Sequence, residues 1–171
     1  TLRETIQLLA QRFGTQVVAV MVFIIVARVI GQLILPEKLL PFVQLVGINL
    51  IAFPRVMLAV AFFFFAPMNP EYRLLNIATP AAKAFCFHQL WLAVLLGFAS
   101  AIQTFNALNG LAPGETRIGF WLNLGMHIYL IVIFYKYRAD GVTMMRGADP
   151  DVTPAEERTA QMYPYFNIFM F

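Results

Sequence analysis

Residues 42–66 read FVQLVGINLIAFPRVMLAVAFFFFA, and this stretch decides the fold because Arg55 is its only charged residue. At 1.5 Å per residue, a helix of this length crosses a hydrocarbon layer about 30 Å thick. The residues that follow, 67–75 (PMNPEYRLL), contain two prolines, an asparagine and two charges, so the helix must end there. We therefore predict a membrane-spanning helix that ends at a membrane surface.

The composition is that of an integral membrane protein. Hydrophobic residues make up 60% of the chain and charged residues 12%, with a mean hydropathy of +0.72. A soluble fold of 171 residues would have too little polar surface with this composition. The net charge of +3 comes from Lys and Arg at the ends of apolar runs, so we expect no nucleic-acid partner. A single cysteine, Cys86, excludes an internal disulfide and a cysteine metal cluster, and we interpret it as an apolar core residue.

Hydropathy along the chain predicts an all-α integral membrane protein with four transmembrane helices arranged as hairpins, followed by the start of a fifth. The segments are an amphipathic lead-in helix at 1–14, a first transmembrane hairpin at 15–66, an interfacial linker at 67–84, a second transmembrane hairpin at 85–138, a polar linker at 139–153 and a truncated helix at 154–171. Thr79 and Thr153, each followed by proline, are predicted helix N-caps. The absence of an initiator Met and the short final apolar run indicate a fragment of a longer polypeptide.

Basic residues lie mainly at one end of the predicted spans, with about eight at that end and about two at the other. The first group is Arg3, Arg12, Arg73, Lys83, Lys136, Arg138, Arg146 and Arg158, and the second is Lys38 and Arg117. The positive-inside rule therefore predicts a cytoplasmic N-terminus. We interpret Arg73, Lys83, Lys136 and Arg138 as anchors at the membrane interface.

Two arginines, Arg28 and Arg55, lie inside predicted spans that contain no Asp or Glu to pair with them. A charge near the bilayer centre costs about 2.5–3.5 kcal/mol on insertion scales. In the first alternative, the side chain extends to the headgroups along a tilted helix. This suits Arg28, about 12 Å from its span end, better than Arg55, about 17 Å from its own. In the second alternative, Arg55, beside Pro54, contacts a lipid phosphate drawn into a groove, or a polar partner elsewhere in the protein. Both alternatives remain open for each arginine.

Two histidines, His88 and His127, suggest a haem or chlorophyll ligand. Along their helices they lie about 33 Å and about 15 Å from the shared turn, so they cannot clamp one haem together. Either could ligate a pigment alone, although polar core or interfacial histidines are commoner. The chain contains no Glu-x-x-His pair, phosphate-binding loop or nucleophile elbow. We therefore predict no enzymatic activity, no catalytic residue, no metal and no cofactor.

The sequence at the end of the second span resembles a known pattern. It comprises Ala66-Pro67, then residues 70–75 (PEYRLL), then Ala82-Lys83 at the start of the next span. It is similar to the extended transmembrane region of bacterial mechanosensitive channels of the small-conductance superfamily, whose members carry many extra helices before the pore. There a span ends in Ala-Pro, Pro-x-x-Arg-Leu follows, and the next helix starts with Ala and basic residues. Residues 2–12 also look like the segment before the first span in such proteins.

The resemblance implies the peripheral, lipid-contacting sensor portion of a homo-oligomeric channel in the bacterial inner membrane, with a heptamer expected. It implies that a pore helix and a cytoplasmic β-containing domain follow Phe171, and it would place Thr1 outside, against the charge count. Two other hypotheses remain open. One is a non-catalytic accessory or structural subunit of a light-harvesting or respiratory complex. The other is a transporter segment, indicated by Pro54 beside Arg55, although the spans lack an acidic residue for ion coupling.

Overall fold

The computed structural model describes residues 2–112, 115–147 and 153–170, and the regular elements in these residues are all helical. In chain order the α-helices are α1 (Leu2–Ile34), α2 (Leu40–Val46), α3 (Phe53–Phe65), α4 (Thr79–Leu108), α5 (Ile118–Lys136), α6 (Arg138–Arg146) and α7 (Pro154–Met170). A π-helical segment, Gly47–Ala52, joins α2 to α3, so that Leu40–Phe65 is one continuous helix, here called the α2–α3 helix. A short 3₁₀ turn, Pro70–Tyr72, lies in the exit loop, residues 67–78, between α3 and α4.

Four helical stretches are long and apolar enough to cross a membrane, which confirms the prediction of an all-helical chain with four such helices. They are Arg3–Ile34, Leu40–Phe65, Thr79–Leu108 and Ile118–Lys136. The predicted further helix is present as α7, but within the described residues it does not meet the same criterion. Within the described residues α7 is only 17 residues long, and its first turns carry Glu156, Glu157 and Arg158.

The lead-in helix expected at residues 1–14 is not a separate element. α1 runs without interruption from Leu2 to Ile34. Gly14 lies inside it, and a Cβ added at this position would meet nothing within 4 Å. A glycine within a helix costs only about 1 kcal/mol, which the long apolar stretch after it outweighs. Thr15 hydrogen-bonds through Oγ1 to the Gln11 carbonyl oxygen at 2.9 Å and so also remains within the helix. Thr1 lies outside the described residues.

The polar linker expected at 139–153 is partly helical, because α6 occupies Arg138–Arg146 and ends at Gly147, whose φ is +71°. Residues 148–152 lie outside the described part of the chain. α7 begins as the sequence predicts: the Thr153 N–H and Oγ1 donate to Glu156 Oε2 at 2.8 and 2.7 Å, and the Glu156 N–H donates back to Thr153 Oγ1 at 3.4 Å. These bonds form a capping box.

The helices form a row in which each packs mainly on its neighbours: α1 on the α2–α3 helix, that helix on α4, α4 on α5, and α5 on α7, which also holds α6. The most extensive packing joins α3 to α4, so the two predicted hairpins are not separate units. Ten of the sixteen buried apolar residues in the described chain are alanines. Small residues permit close approach of helices that cross membranes.

The row leaves a large apolar surface uncovered. The accessible surface is 11639 Å², whereas a compact monomer of 19.3 kDa exposes about 8,500 Å². The four long helices bury only 6%, 22%, 28% and 11% of the residues in their most apolar windows, in chain order. Lipid tails or partner helices therefore have extensive apolar helix faces to cover.

Candidate functional site

Three cavities lie in a row between α1 and the α2–α3 helix. Their volumes are 220 Å³ beside the exit loop, 480 Å³ in the middle and 70 Å³ beside α2. Gln16 and Phe62 line both the first and the second cavity, and Phe23 lines both the second and the third. The cavities therefore adjoin one another between these helices, and together we call them the α1 groove.

The groove follows from residue spacing on α1. The α1 residues in its walls recur every three or four positions and so form a stripe on one helix face. They include Leu9, Phe13, Gln16, Val20, Phe23 and Ala27. From Leu9 to Arg28 the helical rise gives about 29 Å, which matches the thickness of a hydrocarbon core.

Each cavity is lined by one arginine and by no Asp or Glu: Arg12 in the first, Arg55 in the second and Arg28 in the third. Arg12 Nη1 donates to Asn69 Oδ1 at 3.4 Å, and its guanidinium carbon lies 6.0 Å from the centroid of the Tyr72 ring. Arg55 and Arg28 are exposed, and neither has a hydrogen bond or ion pair with another residue of the described ranges. Because the groove has cations and no counter-ion among the described residues, it is suited to an anionic group.

These positions bear on the two sequence-based alternatives for the arginines. Arg55 lies in the wall of the largest cavity together with Gln16, and apolar side chains, among them Phe23 and Leu58, surround this polar pair. The lipid-phosphate alternative therefore has a defined location for its ligand. The alternative in which the side chain extends toward the headgroups stays open for both arginines, since both are exposed.

Behind the groove, the π-helical segment brings the α2–α3 helix against α4. The Phe53 N–H donates to the Ile48 carbonyl oxygen five residues earlier. The next donor in this pattern would be residue 54, but Pro54 has no N–H, so the Asn49 carbonyl receives no such bond. A Cβ built on Gly97 of α4 would lie 2.0 Å from that Asn49 oxygen. Only glycine allows this approach, and its Cα–H points toward the carbonyl oxygen.

Arg73, which the sequence analysis interprets as an interface anchor, is half-buried and bonds within the protein. Its Nε donates to the Phe65 carbonyl oxygen at 2.9 Å, its Nη1 to the Ile77 carbonyl oxygen at 2.5 Å and its Nη2 to Thr79 Oγ1 at 3.2 Å. It thus joins the end of α3 to the start of α4. Thr79 is accordingly not the N-cap of α4: that position is Ala78, which makes no side-chain capping bond.

The other predicted anchors, Lys83, Lys136 and Arg138, are exposed. Lys136 Nζ lies 5.3 Å from the centroid of the Tyr137 ring, and the Arg138 guanidinium carbon lies 4.7 Å from that of Tyr135. Arg138 Nη1 also donates to the Tyr135 carbonyl oxygen at 3.0 Å. Pairing of cations with tyrosines at a helix end, as for Lys136 and Arg138, is typical of a membrane interface. For all three residues the interpretation as anchors stays a prediction.

The two histidines have different environments. His88 of α4 is half-buried, with Nδ1 hydrogen-bonded to Tyr129 Oη at 2.7 Å and Nε2 to Tyr137 Oη at 3.4 Å. His127 of α5 is exposed, and its Nδ1 donates to the Asn123 carbonyl oxygen at 2.6 Å. Both ring nitrogens of His88 therefore have tyrosine partners that join α4 to α5, which favours a structural role for His88 over pigment ligation.

Sequence reasoning missed the partners that complete these groups: Gln16 in the groove, the contact between Gly97 and Asn49, and Tyr129 beside His88. Gln16 could have been noticed as a polar residue within an apolar run, but no local pattern pairs residues on different helices. Within the described ranges, no group of three or more His, Cys, Asp or Glu side chains is positioned to hold a metal ion. Cys86 is buried, as expected of an apolar core residue.

Models of known protein families, curated proteins and solved structures contain no match to this chain. The resemblance to mechanosensitive channels therefore rests on residues 2–12 and on the exit loop with its flanks alone.

Proposed function

We propose that this chain is the membrane-embedded sensor portion of a mechanosensitive channel, multi-pass in the bacterial inner membrane and assembled as a homo-oligomer with membrane lipids as its ligands. The observation that carries the proposal is the α1 groove, which has a length close to that of a hydrocarbon core and carries arginines without acidic partners. The loop motif that resembles such channels supports the same assignment.

The groove supports a physical mechanism for sensing. α1 packs on the α2–α3 helix and the 3₁₀ turn, so it can approach or leave that helix without disturbing the packing of α4. Lipid in the groove stabilises the separated arrangement, and loss of that lipid stabilises a closed one. Tension thins the bilayer and favours the state with the larger membrane area, so it shifts this equilibrium.

Patch-clamp recording of the full-length gene product under graded suction tests the proposal. We expect a tension-gated conductance, with a threshold that Arg55→Leu shifts because the substitution removes the lipid contact. Arg55→Lys should retain part of the wild-type threshold if a point charge suffices. Arg158→Leu, which removes an exposed arginine of α7 outside the groove, is the matched control and should leave the threshold unchanged. A full-length protein without any tension-gated current would overturn the proposal.

A second candidate is a non-catalytic accessory subunit of a larger membrane complex. It is favoured by α5, which exposes 62% of Phe120, 63% of Trp121 and 59% of Tyr135, an aromatic surface that would also suit a partner subunit. Purification from native membranes in mild detergent distinguishes the candidates. A ring of identical chains supports the channel, whereas stoichiometric pigment-bearing or redox partners support the accessory subunit.

A further inference from the structure

We infer that the α1 groove also carries anionic phospholipids between the two leaflets of the bilayer, with the headgroup inside the groove and the acyl chains in the surrounding membrane. This activity shares with the proposed function the assumption that the groove lies across a membrane. It does not require a pore, tension gating or an oligomer.

The alignment of the cavities is the first observation. Gln16 and Phe62 stand between the first cavity and the second, and Phe23 stands between the second and the third, so a headgroup that passes from one cavity to the next moves past these side chains. The α1 groove begins beside the exit loop at Asn69 and ends beside Leu40. Because α1 and the α2–α3 helix are antiparallel, these are opposite ends of both helices. A headgroup that follows the groove would therefore travel from one leaflet to the other.

The distribution of polar side chains is the second observation. Along the groove, polar groups follow in the order Asn69 with Arg12, then Gln16 with Arg55, then Gln44 with Arg28. On α1, Arg12 and Arg28 are separated by about 24 Å of helical rise, and Arg55 lies in the cavity between them. Each arginine can bind a phosphodiester with two parallel hydrogen bonds. An anionic headgroup therefore meets a cationic partner at three depths instead of crossing bare hydrocarbon.

The walls of the groove suit the remainder of the lipid. Val20, Phe23, Leu58 and Phe62 are apolar and line the middle cavity. α1 packs on the α2–α3 helix and on the 3₁₀ turn, so the groove borders the surrounding membrane. Acyl chains can thus remain among other lipids while the headgroup moves. No covalent step or energy source is involved, so movement proceeds in both directions toward equal distribution.

The narrow end predicts where movement is slowest. The cavity beside Arg28 has 70 Å³, against 480 Å³ at Arg55. At this end, Leu40 Cδ1 lies 3.1 Å from the position that a Cβ on Gly31 would occupy, so the two helices are close. Passage requires α1 to move away from α2 here. Because movement is slowest beside Arg28, loss of this cationic partner in Arg28→Leu should slow transfer. Arg55→Leu should slow transfer too.

The test is a lipid-transfer assay with the 171-residue chain reconstituted in phosphatidylcholine vesicles that contain fluorescently labelled phosphatidylglycerol. Dithionite added outside destroys the label in the outer leaflet only. Protein-free vesicles should lose about half of the fluorescence, and vesicles with the chain should lose most of it. We expect Arg55→Leu to lower the transfer rate at least about tenfold, Arg55→Lys to lower it less, and Arg158→Leu, at an exposed arginine of α7, to leave it unchanged. Ala19→Leu, which narrows the middle cavity and keeps the charge, should also slow transfer.

Each outcome separates this inference from the proposed function. Lipid transfer is overturned by a rate equal to that of protein-free vesicles, or by an Arg55→Leu rate equal to that of the wild type. Circular dichroism measures the helicity of each variant and so verifies its folding. Equal rates for labelled phosphatidylcholine and phosphatidylglycerol overturn the role of charge. Cross-linking of a photoactivatable phosphatidylglycerol to groove residues without transfer overturns only this inference. Transfer by the chain together with a full-length protein that shows no tension-gated current overturns only the sensor.

Discussion

The α2–α3 helix packs against α4 on one side and α1 on the other, and the two contacts differ in kind. Toward α4, the Asn49 carbonyl approaches Gly97 closely enough to exclude a methyl group. Aromatic rings close both ends of that contact, with Phe42 5.5 Å from Phe105 and Phe65 5.5 Å from Phe85 between ring centroids. Toward α1, three cavities remain, and arginines line them.

Side-chain size on the facing helix explains the difference. Buried residues of α4 at spacings of four and seven, Ala82, Cys86, Ala93, Gly97 and Ala101, form a stripe that lets the backbones approach. α1 instead presents Phe13, Gln16, Val20 and Phe23, which hold the helices apart. One helix thus packs closely against α4 on one face and forms the wall of an open groove on another.

The strongest effect is expected at the contact between the α2–α3 helix and α4, here called the closed contact. Gly97→Ala should destabilise the protein by about 2–3 kcal/mol, because the new methyl group overlaps a backbone oxygen that cannot move alone. The measurement is thermal unfolding in detergent, followed by circular dichroism. Gly125→Ala on α5 is the matched control, since nothing lies within 4 Å of its added Cβ and alanine favours a helix. Equal unfolding temperatures for the two variants would show that the α3–α4 contact is not close.

The next effect compares two arginines, Arg73 in the exit loop and Arg55 in the α1 groove. Arg73→Leu should cost about 1–2 kcal/mol, because the Phe65 and Ile77 carbonyl oxygens lose a charged donor. Arg55→Leu should change stability by less than about 0.5 kcal/mol, because Arg55 bonds to none of the described residues. The same unfolding measurement applies to both variants. Comparable losses would mean that Arg55 has a protein partner and that the α1 side is not an open groove.

The smallest effect concerns the pair α6 and α7, outside both contacts. Hydrogen bonds from Thr153 lower the pKa of Glu156, and hydrogen bonds from Arg146 and Gln161 lower that of Glu157. Because each pKa is lower in the folded than in the unfolded chain, the stabilisation is complete above the usual glutamate pKa and is lost as pH falls through the lowered value. Below about pH 4, amide exchange should therefore rise at the start of α7.

Two observations would verify the origin of this pH dependence. Thr153→Ala should increase amide exchange at the start of α7 at neutral pH and weaken the response to acid, because the bonds to Glu156 are then absent. Amides of α4 near Gly97 should not respond over the same range. If they exchange in parallel with α7, the closed contact and the α6–α7 pair unfold as one unit.

Local sequence patterns predicted most of the helices. Apolar length and the Thr153–Pro154 pair act over a few residues, so four long helices and the start of α7 could be predicted. Helix starts that depend on distant groups could not: Thr79 bonds to Arg73, and the N-cap is Ala78. α6 also escaped prediction, because charged, glycine-containing residues become helical there through packing on α7.

Only the tertiary structure decided which helix faces meet and therefore where the candidate site lies. The sequence singled out Arg55 as a charge within an apolar span and Arg73 as an interface anchor, but it did not show what either side chain faces. Arg73 bonds to carbonyl groups at the ends of two elements, whereas Arg55 faces a cavity built jointly with α1. Local patterns fix the backbone conformation, but the contact of Gly97 with Asn49 and the groove beside Gln16 depend on long-range packing, which no local pattern encodes.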